Sequence, residues 1–277
     1  MTHSVIEIGP YQLLLALVFI LAAGGASLYH GLRLEKDLLV GTIRTFAQLF
    51  LLGYVLKFVF RLDSVWLVLA VFLFMIVFAV RIIRSRIKEK QVAFFWPMLI
   101  SMTISYALVA FLITGVVIGA DPWWKPQYFI PLAGMLIGNS MNAVAISLDR
   151  LLGELKKRRQ EVEMMLCLGA DYREASKDMV KNAMRAGMIP SINSMMAVGV
   201  VFIPGMMTGQ ILAGADPLIA IRYQILVMVM LVGSTAILSF LGVRIVCRRC
   251  FGPAQQLLLR PERKRGRKTK MAKGTQP

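Results

Sequence analysis

The chain has 277 residues, 57% of them hydrophobic, and a mean hydropathy of +0.67. It also carries 32 Lys and Arg against 15 Asp and Glu, a formal charge of +17. That apolarity excludes an ordinary soluble domain, and so many cations on so apolar a chain indicate an integral membrane protein with its basic residues gathered on one side.

A crossing helix needs about 20 mostly apolar residues. In chain order the qualifying stretches are 11–29, 38–60, 64–80, 92–119, 128–148, 188–214 and 219–246. The predicted fold class is therefore all-α, a polytopic membrane protein with seven transmembrane helices. No stretch keeps a strict alternation, so a β-barrel is not expected. The first stretch lacks a basic n-region and an A-x-A cleavage site and reads as a retained helix. Residues 1–246 form the expected seven-helix membrane domain and 247–277 a basic, disordered tail.

Lys and Arg set the expected orientation. Alternate connections hold Arg33 and Lys36, then Arg81, Arg84, Arg86, Lys88 and Lys90, then nine cations from Arg150 to Arg185. With the end of the chain from Arg244 onward, these regions carry 27 of the 32 basic residues. The other side shows little beyond Arg61 and Lys125, so the N-terminus is predicted outside and the C-terminus cytoplasmic. Trp123, Trp124 and Tyr128 suit an outer interface.

The longest connection, 149–187, reads "DRLLGELKKRRQEVEMMLCLGADYREASKDMVKNAMRAG". Its helical pattern breaks at "LGAD" and resumes with Tyr172, Ala175, Met179 and Ala183 at helical spacing. Gly169 fits the end of one helix, and Asp171 fits the N-cap of the next with Glu174 in a capping box. Two short amphipathic helices meeting at a glycine corner are predicted. Such a pair either lies in the lipid headgroups or docks in a groove of a cytoplasmic partner.

Polar residues inside apolar spans are costly and face a bundle interior or a water-filled path. Arg44 and Gln48 share a face of the second span, with Arg44 about 9 Å inside it at 1.5 Å per residue, within snorkelling reach of the surface. In the fifth span, "AGMLIGNSMNAV", Gly134 and Gly138 predict a close-packing face, while Asn139 and Asn142 either join helices or line a path. The sixth span contains "VFIPGMMTGQILAGADP". Pro204 removes a backbone donor and Gly205 loosens the turn, so a kink or break is expected, of the kind transporters place at substrate sites. Met206 and Met207 read as flexible packing or as soft metal contacts, with Thr208 and Gln210 polar just beyond. Gln48, Asn139, Asn142, Pro204, Gly205, Met206, Met207, Thr208 and Gln210 are expected to converge on one path.

Catalytic chemistry finds no footing. The sequence has no phosphate loop, no H-E-x-x-H and no G-x-S-x-G. His3 and His30 lie near opposite ends of the first span. Cys247 and Cys250 make a lone C-x-x-C, which fits a reduced thiol pair or lipidation better than zinc. The run "RPERKRGRKTKMAKG" follows a membrane span, so it reads as an anchor on anionic membrane lipids rather than a nucleic-acid arm.

The segments "LEKDLLVGTIRTFAQLFLLGYVLKFVF", "PLAGMLIGNSMNAV", "LGAD…MRAGMIPSI" and "IPGMMTGQILAGADPLIAIRYQI" together resemble the Fet-type permeases. These are membrane subunits of bacterial ABC transporters assigned to iron export, with plant relatives linked to aluminium tolerance. The resemblance runs from about Leu34 to Cys250. It implies a non-enzymatic subunit in the bacterial inner membrane, without a cofactor of its own. ATP would be hydrolysed on a separate ABC ATPase subunit, and the permease would pair as a homodimer. The resemblance also implies a coupling helix, with "EMM" at 163–165 four residues before the corner, so Glu163, Gly169, Ala170 and Asp171 are the expected ATPase contacts. A non-transporting membrane adaptor or assembly protein, and an ABC permease for a non-metal substrate such as a sugar nucleotide, remain as alternatives.

Overall fold

The computed structural model describes residues 9–87 and 92–259. Ten α-helices are formed among them. They are α1 (Pro10–Tyr29), α2 (Glu35–Leu62), α3 (Val65–Arg86), α4 (Phe95–Phe111), α5 (Pro126–Lys157), α6 (Arg159–Cys167), α7 (Tyr172–Ala175), α8 (Lys177–Ala197), α9 (Gly205–Leu212) and α10 (Pro217–Arg249). A π-helical turn, Leu112–Val117, extends α4. Among the described residues the only β pairing is two isolated bridges, Val198 with Phe202 and Phe251 with Leu257.

Six helices are long and apolar enough to cross a membrane: α1, α2, α3, α4 with its extension, α5 and α10. The expected seventh, 188–214, is not one helix. It is the end of α8, an irregular stretch over 198–204, and the short α9. The connection after the fifth span is also shorter than its charge suggested, because α5 continues to Lys157. Leu148, Leu151, Leu152 and Leu155 keep an apolar helical stripe buried through that extension, which carries the helix past its first charged residues.

The chain divides into two compact units. The first comprises Met1–Ile76, Tyr106–Ile137 and Asn193–Val232. Here α1 and α2 make a hairpin pinned by Ser27, whose buried hydroxyl donates to Glu35 at 3.0 Å and accepts from the Leu34 amide at 3.0 Å. Most other side chains of this hairpin are exposed, as lipid-facing helices require. Deeper packing comes from edge-to-face aromatic contacts in which Phe129 meets both Phe72, at 5.2 Å, and Trp123, at 5.9 Å.

The second unit comprises Val77–Ser105, Gly138–Ile192 and Gly233–Pro277. Its core gathers Val80, Ile83, Phe94 and Met98 with Val144, Leu148, Leu151, Met179, Leu238 and Val246, all buried. The closest helix approach falls where the sequence pattern did not place it. At Gly187 of α8 an added Cβ would sit 2.6 Å from the Ala143 carbonyl oxygen and 1.9 Å from the Ser147 hydroxyl. Gly138 faces open space, and Gly134 touches only Met75, at 3.2 Å from a would-be Cβ. The predicted G-x-x-x-G face is thus half used, and a glycine in α8 makes the tight contact with α5.

The part of the predicted tail that is described is packed. α10 runs to Arg249, and Cys247, Cys250, Phe251, Leu257 and Leu259 are buried. These apolar side chains drive residues 250–259 back onto the unit as a clasp, closed by the Leu258 amide donating to the Cys250 carbonyl at 2.8 Å and Gly252 to Gln256 at 2.8 Å. Lys88 and Lys90, His3 and the basic run from Arg260 lie outside the described residues.

Candidate functional site

The interrupted segment owes its shape to two residues. Gly199 takes φ +82, a left-handed conformation that glycine tolerates, and its amide donates to the Phe202 carbonyl at 3.0 Å, so the chain leaves the α8 axis. Pro204 then stands as the N-cap of α9 at φ −65 and ψ 147. The break therefore begins six residues before Gly205, which is simply the first residue of the next helix. α9 ends at Leu212, and Asp216 caps α10 by accepting from the Leu218 amide at 2.7 Å.

Around this break lies a cavity of about 430 Å³ in the first unit. Met195, Gly199, Ile203, Pro204 and Met207 form one wall, and Gln224 and Met228 of α10 are on the other. The surface is mainly apolar, with three thioethers. Gln224 is 5% exposed and its Oε1 is buried with no partner among the described residues, an arrangement that costs about 1–3 kcal/mol. The cavity thus offers soft sulfur contacts and one amide side chain in a mainly apolar wall.

The sequence-predicted residues divide accordingly. Pro204 and Met207 line the cavity, whereas Gly205, Met206 and Gln210 do not, although the Gln210 Oε1 is also buried without a partner among the described residues. Thr208 is exposed and its hydroxyl donates to the Pro204 carbonyl at 3.1 Å, so it serves the helix start. Gln48 and Arg44 are exposed on α2 in the first unit, and Asn139 and Asn142 are exposed on α5 in the second. Gln224 went unnoticed in the sequence; the signal was a lone amide in the apolar run "YQILVMVMLV". Among the described residues no group of three or more His, Cys, Asp or Glu lies together. Cys247 and Cys250 are buried and reduced, with the Cys247 Sγ 3.2 Å from the Ser176 hydroxyl, a packing role.

A second surface lies in the second unit, at the corner between α6 and α7. Gly169 takes φ +95, and the Gly169 and Ala170 amides donate to the Leu166 and Met165 carbonyls at 3.1 Å each, a Schellman closure of α6. Asp171 caps α7, accepting from the Glu174 amide at 2.7 Å while the Glu174 carboxylate accepts from the Asp171 amide at 3.1 Å. Glu163 is held by Arg159 at 2.7 Å. Nearby, a hydrogen bond from Arg158 holds the Glu161 carboxyl below its ordinary range and raises Arg158 in turn. Leu168 is 80% exposed and Met164 59%, leaving apolar side chains uncovered beside the corner. The clasp braces it from behind: Gln255 Oε1 accepts from the Tyr172 amide at 2.9 Å, Phe251 packs on the Tyr172 ring at 5.6 Å, and Arg159 donates to the Leu259 carbonyl.

Six long apolar helices and a broken seventh segment define a multi-pass helical membrane protein. The chain belongs to the family described as "Uncharacterised protein family (UPF0014)", which it matches over residues 10–251. It is 37% identical over 259 residues to "UPF0014 membrane protein slr1647" of Synechocystis, covering 94% of this chain and 100% of that protein. It is 33% identical over 248 residues to the "Probable iron export permease protein FetB" of Escherichia coli, covering 90% and 94%. Identity to "Protein ALUMINUM SENSITIVE 3" of Arabidopsis thaliana is 35% over 247 residues, covering 87% of each. These relatives agree with the Fet-type resemblance. No solved structure matches the chain.

Proposed function

We propose that this chain is the permease subunit of an ATP-driven exporter for iron or another metal. The ATP is hydrolysed on a separate ABC ATPase subunit. The observation that carries this reading is the broken helix at a cavity lined by three thioethers and by Gln224, whose Oε1 is buried without a partner among the described residues, in a chain similar to a probable iron export permease. The cavity has thioether and amide donors without carboxylates, so the metal enters it as a soft ion or already bound to other ligands. Pro204, Met207 and Gln224 meet it there; Gln48, Gly205, Met206, Thr208 and Gln210 of the first unit, and Asn139 and Asn142 of the second, are assigned to the path as well. Two copies work together over two ATPases. Each docks an ATPase through Glu163, Gly169, Ala170 and Asp171, with Met164 and Leu168 as apolar anchors.

Seven crossings, an outside N-terminus and a cytoplasmic C-terminus complete the proposal. The clasp supports it, because it ties the end of α10 to α6 and α7, which follow directly from α5. If α10 crosses once, its start lies on the far side, so α8, the break and α9 must together make the remaining crossing. The test is reconstitution with an ABC ATPase in inside-out vesicles. ATP-dependent metal accumulation should need both proteins and vanish when the ATPase phosphate-loop lysine is replaced. Accumulation without the ATPase would overturn the reading.

A further inference from the structure

The second unit holds another cavity, of about 340 Å³, between α7, the first turn of α8 and the last turns of α10. Arg173, Lys177, Arg244 and Arg248 line it, and no carboxylate does. These cations come from three helices, so their convergence is a product of the fold rather than of one basic run. All four are exposed, and none forms an ion pair among the described residues. The neighbouring acids stand outside the lining: Asp171 and Glu174 cap α7, with the Asp171 charge still acting on Arg173, and exposed Asp178 is not part of the lining.

The arrangement also supplies donors and walls. Arg173 Nε donates to the Tyr172 hydroxyl at 3.1 Å, which leaves the phenolic proton for a ligand. Arg244 sits over the Phe240 ring at 4.7 Å, held without a counter-charge. Val180 and Ile245 give the cavity a half-buried apolar side. Arg248 in the last turn offsets the negative end of α10, but Arg244 lies a turn earlier and that role does not account for it. Four like charges around one hollow repel one another until an anion enters, and guanidinium forks match tetrahedral oxyanions.

We propose that this cavity binds a phosphate group, either the headgroup of an anionic phospholipid or free phosphate. Its place at the end of α10, where apolar residues give way to basic ones, suits a lipid headgroup with its chains along the helix. The inference needs α10 to span the membrane and does not depend on transport.

The test uses full-length chain in phosphatidylcholine nanodiscs, probed separately with phosphatidylglycerol and with inorganic phosphate, and read by native mass spectrometry. Lys177→Ser/Arg244→Ser removes two lining cations. Lys181→Ser/Arg185→Ser removes two exposed cations from α8 outside the cavity. Wild type and the second pair should bind a probe within about twofold of each other, and the first pair about tenfold or more weakly. Retention of phosphatidylglycerol that inorganic phosphate does not displace assigns the site to a lipid headgroup; displacement assigns it to free phosphate. Equal binding by all three chains, equal loss in both pairs, or no binding of either probe by wild type would sink the proposal.

Discussion

At the scale of single residues, close approach and orphaned polarity make opposite demands. Gly187 has no room for a methyl group, so Gly187→Ala should destabilise by about 1–3 kcal/mol through overpacking of α8 on α5. Gly138 has room, so Gly138→Ala should be neutral or stabilise by up to about 1 kcal/mol from helix propensity. The melting temperature in detergent should therefore fall for Gly187→Ala and hold or rise for Gly138→Ala. Gln224 sets stability against function. Replacing it by Met keeps the volume and removes the unpaired carbonyl, so Gln224→Met should raise the melting temperature and lower metal export. A rise in both would show that the amide is only a misfit in the apolar wall. The methionines divide in the same way: Met207→Leu should weaken export more than Met206→Leu, because of the two only Met207 lines the cavity. Resistance to the exported metal in cells reads both.

At the scale of elements, local chemistry was legible where partners lie a few residues apart. The α7 capping box, the glycine corner at 169 and the interruption before α9 are all written within short windows. Contacts spanning large separations were not. Tyr172 meets Gln255, 83 residues away, and nothing in either local pattern announces the pair, so residues 250–259 resembled the start of a loose tail. The G-x-x-x-G motif was only half used for the same reason, since spacing marks a small face without saying what approaches it. Pro204 drew attention as the site of the break, yet Gly199 turns the chain first. Gly199→Ala should thus cost about 1–2 kcal/mol by forcing a methyl-bearing residue into the left-handed region, whereas Pro204→Ala alone should leave the break in place. The clasp yields a sharper expectation. Gln255→Ala removes the acceptor for the Tyr172 amide, so hydrogen exchange at that amide should accelerate while exchange in the middle of α5 stays unchanged. Unchanged protection at Tyr172 would mean that the clasp does not brace the corner.

At the scale of the whole molecule, composition made the membrane class legible, and span counting found the six helices long enough to cross without describing the break within 188–214. Hydropathy sums over a window and cannot distinguish one helix from two short ones with a turn between them; only backbone geometry does that. The proposed topology then depends on parity. α5 ends where α6 begins, the clasp fixes the end of α10 to α6 and α7, and one pass of α10 leaves residues 177–217 to cross back. Site-directed cysteine labelling tests this directly. Cys167 is exposed whereas Cys247 and Cys250 are buried, so Cys167→Ser gives a quiet background. On it, cysteines placed at Asp121 and Asp216 should react with an impermeant maleimide in intact cells, and one at Lys157 only after permeabilisation. Position 216 is decisive, because it follows α9 directly. If Asp216→Cys were protected like Lys157→Cys, α8 and α9 would return to the side they left, α10 would not cross, and the broken segment would be a re-entrant loop rather than a seventh pass.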